Sequence, residues 1–343
     1  MNLVLFLGAG YSAAYNLPIM NDFLSFADSS TKLVKEEKDF IDQLVLESRR
    51  ANSFLQSSPT NLEDILSFSV MADRLSLNNN KTESRNYMMR KILQKIFTQV
   101  SDPRDYWRKF DRFRSFLTFD PKEKKHNLSI ITTNYDLCIE CSLHKLGLKT
   151  DPCFPFGHVH DNKLIINRDN FYSHEGIPVL KLHGSVNWFE NNEPSDFFNV
   201  DGRVVEIHGN FENEGIPKTL PYVCAGDYNT KIPPVIIPPS FLKPDLKGPL
   251  GQIWKIAADK LQSANLLVFV GYSFPMTDTE MLYFLARSLT DNPGLRMILL
   301  VDPFANDIVK KIHSQESKFG SHFKNLLKTE QDYWENTNLK KYL

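Results

Sequence analysis

The chain has 343 residues, which is enough for one large domain with insertions or for two domains. Its hydrophobic fraction of 42% supports a sizeable buried core, and its formal net charge of -1 argues against a broad nucleic-acid surface. No apolar run approaches the roughly 18 residues of a membrane helix, and the first residues lack the pattern of a signal peptide. We therefore expect a cytoplasmic protein with no direct binding to nucleic acid or membrane.

The first feature in chain order is an apolar segment, residues 3–7, that runs directly into the sequence Gly-Ala-Gly-Tyr-Ser. Without side chains at Gly8 and Gly10, the backbone can approach a pyrophosphate, whose charge would be met by N–H groups at the next helix. Ser12 is a candidate helix cap or phosphate donor. Because the third glycine of the usual dinucleotide fingerprint is absent, a tight turn that needs glycine remains the alternative.

Long amphipathic segments follow at residues 33–50, 62–75 and 84–100, and they predict a helical insertion over residues 25–120. Thr60 precedes an acidic first turn that contains Glu63 and Asp64, a pattern typical of a helix start. The insertion separates the first predicted strand from the second.

Further strand-like segments occur at residues 128–131, 178–182, 235–237, 266–270 and 297–301. Short, continuously apolar strands with helical segments between them indicate an α/β fold, a Rossmann-like doubly wound parallel sheet over residues 1–24 and 121–310. The prolines around residues 235–237 indicate a rigid approach to a short strand and a rigid exit from it. Residues 311–343 are predicted to form a helical C-terminal tail.

The four cysteines are too few and too scattered for a disulfide scaffold. Cys138 and Cys141 form a Cys-x-x-Cys pair in a predicted helix, but no second pair completes a zinc site. We expect buried structural thiols and no zinc. His158 and His160 lack a supporting ligand pattern, so a structural role is favoured over metal binding.

Polar residues stand at the carboxyl ends of several predicted strands, where parallel α/β sheets bind their ligands. They are Asn134 and Asp136 after the second strand, His183 after the third, Gly271 and Ser273 after the fifth, and Asp302 after the sixth. Tyr11, Trp188 and Phe189 are candidates for stacking on a ligand ring, with core packing at least as favoured.

Together these motifs, Gly-Ala-Gly-Tyr-Ser, Thr-Asn-Tyr-Asp, Leu-His-Gly and Gly-Tyr-Ser, resemble the sirtuin superfamily in order and spacing. They look most similar to the sirtuin-like NADase domains of bacterial antiphage defence systems, including the HerA-associated type. Each motif alone is weak, whereas the ordered set is specific. The resemblance covers the sheet but not the insertion or the tail.

The resemblance implies NAD as a substrate and a role for each matching position. The residues carried over to phosphate binding are Gly8, Ala9, Gly10 and Ser12. Asn134 matches the catalytic asparagine, His183 matches the catalytic histidine, and Asp136 matches the aspartate near the nicotinamide carboxamide. Gly271 and Ser273 match a loop against the phosphate and adenosine ribose, and Asp302 lies where a carboxylate accepts from ribose hydroxyls.

Elementary chemistry agrees with the two catalytic assignments. Cleavage of the nicotinamide–ribose bond requires an oriented ring, a positioned nucleophile and a base that works near neutral pH. A histidine such as His183 has an ordinary pKa near ~6.5, and the neutral carboxamide of Asn134 can hold a water or a hydroxyl.

The chain departs from the protein-deacylating sirtuins in two places. Their zinc module needs two Cys-x-x-Cys pairs after the His-Gly motif, where this chain has only Cys224. Their Gly-Ile-Pro-Asp-Phe-Arg segment is replaced by residues 16–21, which lack the Phe and the Arg. Both differences weaken the case for acyl-lysine binding and point to water as the acceptor.

We therefore expect NAD hydrolysis to ADP-ribose and nicotinamide by an abortive-infection effector in the bacterial cytoplasm. Such activity must be gated, and we expect a homo-oligomer with a separate sensor protein, first a HerA-type ATPase and second an Argonaute-type protein. The insertion and the tail are the expected docking surfaces. The alternatives are a silent NAD or ADP-ribose sensor, a deacylase or ADP-ribosyltransferase, and, with little support, a nuclease subunit.

Overall fold

The computed structural model describes most of the chain. The described ranges are residues 1–55, 62–75, 82–97, 103–117, 126–153, 157–160, 163–166, 176–191, 204–207, 234–239, 248–275, 278–314 and 320–343. Within them, the strands are β1 Asn2–Leu7, β2 Asn127–Thr132, β3 Thr150–Asp151, β4 Gly157–His160, β5 Lys163–Ile166, β6 Ile177–Lys181, β7 Gly184–Asn191, β8 Val204–Ile207, β9 Pro234–Ile236, β10 Leu266–Val270, β11 Met297–Val301 and β12 Leu327–Glu330.

Of the α-helices that the structure describes, six lie between β1 and β2, one lies between β2 and β3, and the others follow β9. The helices are α1 Ala9–Ala13, α2 Phe23–Ser29, α3 Lys35–Leu55, α4 Leu62–Arg74, α5 Thr82–Phe97, α6 Pro103–Leu117, α7 Cys138–Lys145, α8 Gly248–Gln262, α9 Thr279–Thr290, α10 Ala305–His313 and α11 Ser321–Leu326. Among the described residues, no helix is long and apolar enough to cross a membrane.

The main sheet has seven parallel strands in the order β12-β11-β10-β1-β2-β6-β3. Successive side chains along its strands point to opposite faces of the sheet and so enter two different hydrophobic clusters. Leu3 and Leu5 of β1 face the cluster formed with α2 to α7, whereas Val4 and Phe6 face the cluster formed with α8 to α11. The predicted α/β fold with a doubly wound parallel sheet is therefore confirmed.

Most of α2 and all of α3 to α6 lie within the predicted insertion, residues 25–120, between β1 and β2. Their buried residues share one hydrophobic cluster with the sheet. Helix α4 begins at Leu62 with Glu63 and Asp64 in its first turn, so the predicted helix start is confirmed. Thr60 lies outside the described residues.

Two sequence predictions differ from the structure. The predicted strand at 235–237 exists as β9, but it pairs antiparallel with β7 in a second sheet of order β5-β4-β8-β7-β9. Pro234 of β9 carries no N–H for a ladder, and β9 lies at the edge of this second sheet, a position where a strand tolerates proline. The tail is only partly helical, because β12 adds the edge strand of the main sheet after α10 and α11.

Candidate functional site at the carboxyl edge of the sheet

Every predicted site residue follows one row of paired residues in the main sheet. Pairing aligns the strand-end residues Leu7, Thr132, Lys181, Val270, Val301 and Glu330. Gly8, Gly271 and Asp302 come one residue after this row, and Asn134 and His183 come two residues after it on the neighbouring strands β2 and β6. The fold thus brings the motifs to a common edge.

Backbone hydrogen bonds continue past this row and join the strand ends; we call them the edge seam. The seam consists of Leu182 N to Thr132 O at 2.9 Å, Thr133 N to Leu7 O at 3.4 Å, Gly8 N to Val270 O at 2.9 Å, Gly271 N to Val301 O at 3.1 Å and Asp302 N to Glu330 O at 3.1 Å. The loops that follow β6, β2, β1, β10 and β11 are therefore each fixed by a backbone hydrogen bond to the end of the neighbouring strand.

The glycines of the first loop are explained by packing against the loop after β10. A Cβ at Gly8 would lie 2.5 Å from the carbonyl oxygen of Gly271, and one at Gly10 would lie 2.7 Å from its Cα. Gly271 has φ +61°, and a Cβ there would lie 2.4 Å from the Tyr11 nitrogen. Close contact between the two loops therefore requires all three glycines, before any ligand is considered.

Three amides of this loop donate to carbonyl groups of the protein, and phosphate binding by the loop stays a prediction. Gly8 N donates to Val270 O, Gly10 N to Gly271 O, and Tyr11 N to Gly8 O. Ser12 is also not a cap, because it lies inside α1, whose N-cap is Gly8. Ala9, the first residue of α1, is exposed.

Asn134 is oriented by the first loop. Its Nδ2 donates to the Gly8 carbonyl at 2.8 Å and to Ser12 Oγ at 2.9 Å. Its backbone N donates to Thr132 Oγ1 at 3.0 Å. Since both amide hydrogens are engaged, the Oδ1 atom is the end of the side chain that can accept a hydrogen bond from a ligand or water. The Asn134 residue is half-buried.

Asp136 carries a buried acceptor without a partner. Its Oδ1 accepts from Cys138 N at 2.9 Å at the start of α7. Among the described residues its Oδ2 has no hydrogen-bond partner, and Asp136 is 3% exposed. An unsatisfied buried carboxylate oxygen is costly. The observation fits a ligand that brings an N–H or O–H donor to this atom, as a carboxamide does.

Lys181 is a functional-site residue to which sequence analysis assigned no role. Its side chain is 1% exposed, contacts the backbone carbonyl of Asp136 and forms an ion pair with Glu140 Oε1 at 3.0 Å. Burial raises the pKa of Glu140, and the adjacent Lys181 ammonium opposes that shift. A lysine in an otherwise apolar strand was the available signal. It ties β6 to the turn that carries Asp136.

His183 is 6% exposed and lies between two aromatic rings, with Tyr135 and Trp254 at centroid distances of 6.4 Å each. Trp254 Nε1 donates to Leu182 O at 2.8 Å, immediately before the histidine. The following Gly184 has φ +81°, and a Cβ there would lie 2.0 Å from Val235 O of β9. The His-Gly motif thus reflects the close approach of β9 to this turn.

Tyr135 supports the same turn from the other side. Its hydroxyl donates to Ile237 O at 2.7 Å, and burial, with smaller contributions from the carboxylates of Glu63 and Asp278, raises the pKa of the hydroxyl. The hydroxyl therefore remains a donor throughout the physiological range.

Ser273 and Asp302 lie at the β10 and β11 ends of the edge. Ser273 is exposed, and its carbonyl accepts from Lys311 Nζ at 3.4 Å. Asp302 Oδ1 accepts from Phe304 N at 2.8 Å, and burial raises the pKa of the Asp302 carboxyl while that hydrogen bond lowers it. The structure thus gives Asp302 a role in the turn before α10, and the roles of both residues toward a ligand remain predictions.

Two of the three stacking candidates belong to the core. Tyr11 is 1% exposed and packs 4.9 Å from the Trp334 ring, and Trp188 is 3% exposed. The Phe189 side chain lies outside the described part of the chain. The expected buried thiols are confirmed at Cys138, Cys141 and Cys153, whereas Cys224 and the side chains of His158 and His160 are not among the described residues.

Comparison with known proteins gives one family and several structural neighbours. The model of a family described as SIR2-like domain matches residues 128–323, more than half of the chain. Comparison with curated proteins finds no match.

Solved structures with similarity include a Sir2 homologue mutant with ADP-ribose, at 14% identity over 95% of this chain and 90% of that one, with a TM-score of 0.37. A Sir2 homologue–NAD complex has 12% identity over 88% and 78%, with a TM-score of 0.36. Since these scores are below 0.5, the assignment rests on the family match, and the chain belongs to the SIR2-like domain family.

Proposed function

We propose that this protein hydrolyses NAD to ADP-ribose and nicotinamide at the carboxyl edge of its main sheet. The observation that carries the proposal is the buried Oδ2 atom of Asp136, which has no hydrogen-bond partner in the described part of the chain and lies two residues beyond the oriented Asn134. The nicotinamide carboxamide offers the N–H donor that this atom lacks. Membership of the SIR2-like family adds support for a dinucleotide ligand.

In the proposed reaction, the bond between the ribose C1′ and the nicotinamide nitrogen breaks, and a water oxygen forms the new bond to C1′. Nicotinamide leaves as a neutral molecule with the electron pair, so the site needs no strong acid. Asn134 holds the water through Oδ1, and His183 accepts the proton that the water releases. The buried aromatic surroundings of His183 limit access of other water molecules to it.

The proposal includes control of this activity, because uncontrolled hydrolysis would exhaust cellular NAD. We propose an effector of bacterial antiphage defence that is active in a homo-oligomer or with a separate sensor, first a HerA-type ATPase and second an Argonaute-type protein. The insertion, which we propose as a docking surface, packs on the sheet that carries the site.

The test follows nicotinamide release from NAD by the purified protein, alone and with the product of the neighbouring gene. Asn134→Ala and His183→Ala should each lower kcat by at least about a hundredfold, the usual contribution of a positioned acid or base, while NAD binding changes little. His313→Ala, which removes an exposed histidine on α10, is the matched control and should keep full activity.

Two outcomes would favour other functions, and a third would refute a catalytic assignment. NAD that binds but stays intact in every assembled state would indicate a sensor. Turnover that depends on an acyl-lysine peptide or on a protein acceptor would indicate a deacylase or ADP-ribosyltransferase. Near-native turnover by either site variant would refute its catalytic assignment.

A further inference from the structure

We propose that Arg90 and Gln94 of helix α5 are positioning residues. They hold β7, which begins one residue after His183, and β9, which pairs with β7. Through them the helical insertion would control the geometry of the site. The regulatory part rests on the proposed function, whereas the positioning part concerns the protein without ligand.

The contacts of α5 reach both strands directly. Gln94 Nε2 donates to Val186 O of β7 at 3.0 Å, and Arg90 Nε donates to Pro234 O of β9 at 2.8 Å. Gln94 is 2% exposed, so loss of its amide would leave the Val186 carbonyl without this buried donor. One helix of the insertion therefore bonds to the beginnings of the strands that enclose the His183 turn.

Backbone bonds connect those strands to the site. Val186 N donates to Tyr135 O at 3.0 Å, between Asn134 and Asp136 in the chain, and Ile237 N donates to His183 O at 2.9 Å. The Tyr135 hydroxyl donates to Ile237 O and so joins the same two segments a second time. A shift of α5 would thus move the segments that carry Asn134, Asp136 and His183.

Helix α5 is anchored to the core on one face and reaches the surface on another. Ile92, Leu93 and Ile96 are fully buried in the cluster beneath the sheet, while Tyr87 on the same helix is 39% exposed. Arg85 pairs with Glu47 of α3 through two bonds of 2.9 Å, which joins α5 to the rest of the insertion. A partner that docks on the insertion and moves α3 would therefore also move α5.

The experiment compares Gln94→Met and Arg90→Met, singly and together, with Arg85→Met. All three residues lie on α5. In the contacts described above, Arg85 bonds to Glu47 of the insertion and not to β7 or β9. Arg85→Met therefore controls for a general loss of helix stability. Hydrogen exchange measured on the protein without ligand should accelerate at the amides of Val186 and Ile237 by about fivefold or more, the factor for one hydrogen bond worth about 1 kcal/mol. Arg85→Met should leave those two amides near wild-type exchange.

Activity supplies the second measurement. Loss of positioning should lower kcat by about fivefold or more with NAD affinity nearly unchanged, whereas partial unfolding would reduce the amount of active protein at constant kcat. Unchanged exchange at Val186 and Ile237 in Gln94→Met and in Arg90→Met would overturn the inference. If wild-type protein never releases nicotinamide, the proposed function fails, while the exchange result still decides the positioning role.

Discussion

Replacement of Gly8 by alanine separates two explanations of the first loop. If glycine serves only to admit a pyrophosphate, alanine will leave the ligand-free protein as stable as the wild type and weaken NAD binding alone. If glycine serves the contact with the β10 loop, the ligand-free protein itself will lose stability.

The structure favours the second result and gives its magnitude. A Cβ at Gly8 would lie 2.5 Å from Gly271 O and 2.8 Å from Tyr272 Cα, both backbone atoms that cannot rotate away. Overpacking of this kind costs about 1–3 kcal/mol. The φ of Gly8 is -103°, which alanine adopts freely, so a gain of about 0.4–1 kcal/mol from the unfolded chain offsets part of that cost. We expect a net loss of about 1–2 kcal/mol.

The assay is denaturant unfolding of wild type and Gly8→Ala without nucleotide. Gly294→Ala is the matched control, because a Cβ there would meet its nearest heavy atom at 3.4 Å, an ordinary contact, and its effect should stay within about 1 kcal/mol. Equal midpoints for wild type and Gly8→Ala, combined with weaker NAD binding, would refute the packing explanation.

Four further outcomes are expected. Gly184→Ala should destabilise the protein more than Gly8→Ala does, because the left-handed φ of residue 184 adds about 1–2 kcal/mol to the cost of its overlap with β9. Denaturant unfolding of the two variants will compare the losses. The pKa of Cys153 is raised to about 12 by burial, so its thiol stays protonated at pH 8 and should resist iodoacetamide until the protein unfolds, as mass spectrometry will show. Lys181→Met should cost about 3 kcal/mol by leaving Glu140 unpaired, and addition of Glu140→Gln should recover much of that loss in the same unfolding assay. Trp334→Ala should lower stability by about 3–5 kcal/mol, because the ring is buried against α1 and α6, and thermal unfolding should show an earlier transition.

Local patterns were sufficient to locate the main parallel strands. Continuous apolar runs predict β1, β2, β6, β10 and β11, because strands covered on both faces need apolar side chains throughout. Strand β12 has the sequence Leu-Lys-Thr-Glu, and as a partly exposed edge strand it carries no such run. Three-residue β9 was located, but so short a segment contains no information on which strand it will pair with.

The candidate site shows the same division. Polar residues immediately after apolar strands are visible in the sequence, so Asn134, Asp136 and His183 could be proposed from it. Gln94 and Trp254 lie on amphipathic helices at positions that look like ordinary core or boundary residues. Their roles depend on contacts with Val186 and Leu182, which only the tertiary fold creates.

The edge seam has a consequence for how a nucleotide would be received. Since backbone bonds already join Gly8 to Val270, Gly271 to Val301 and Asp302 to Glu330, these loops have few conformations left to lose. A ligand that binds there would spend little of its interaction energy on ordering the protein. Selection among nucleotides would then depend on fit to a preformed rim, and variants that loosen the seam should bind the same ligand with a larger entropic penalty.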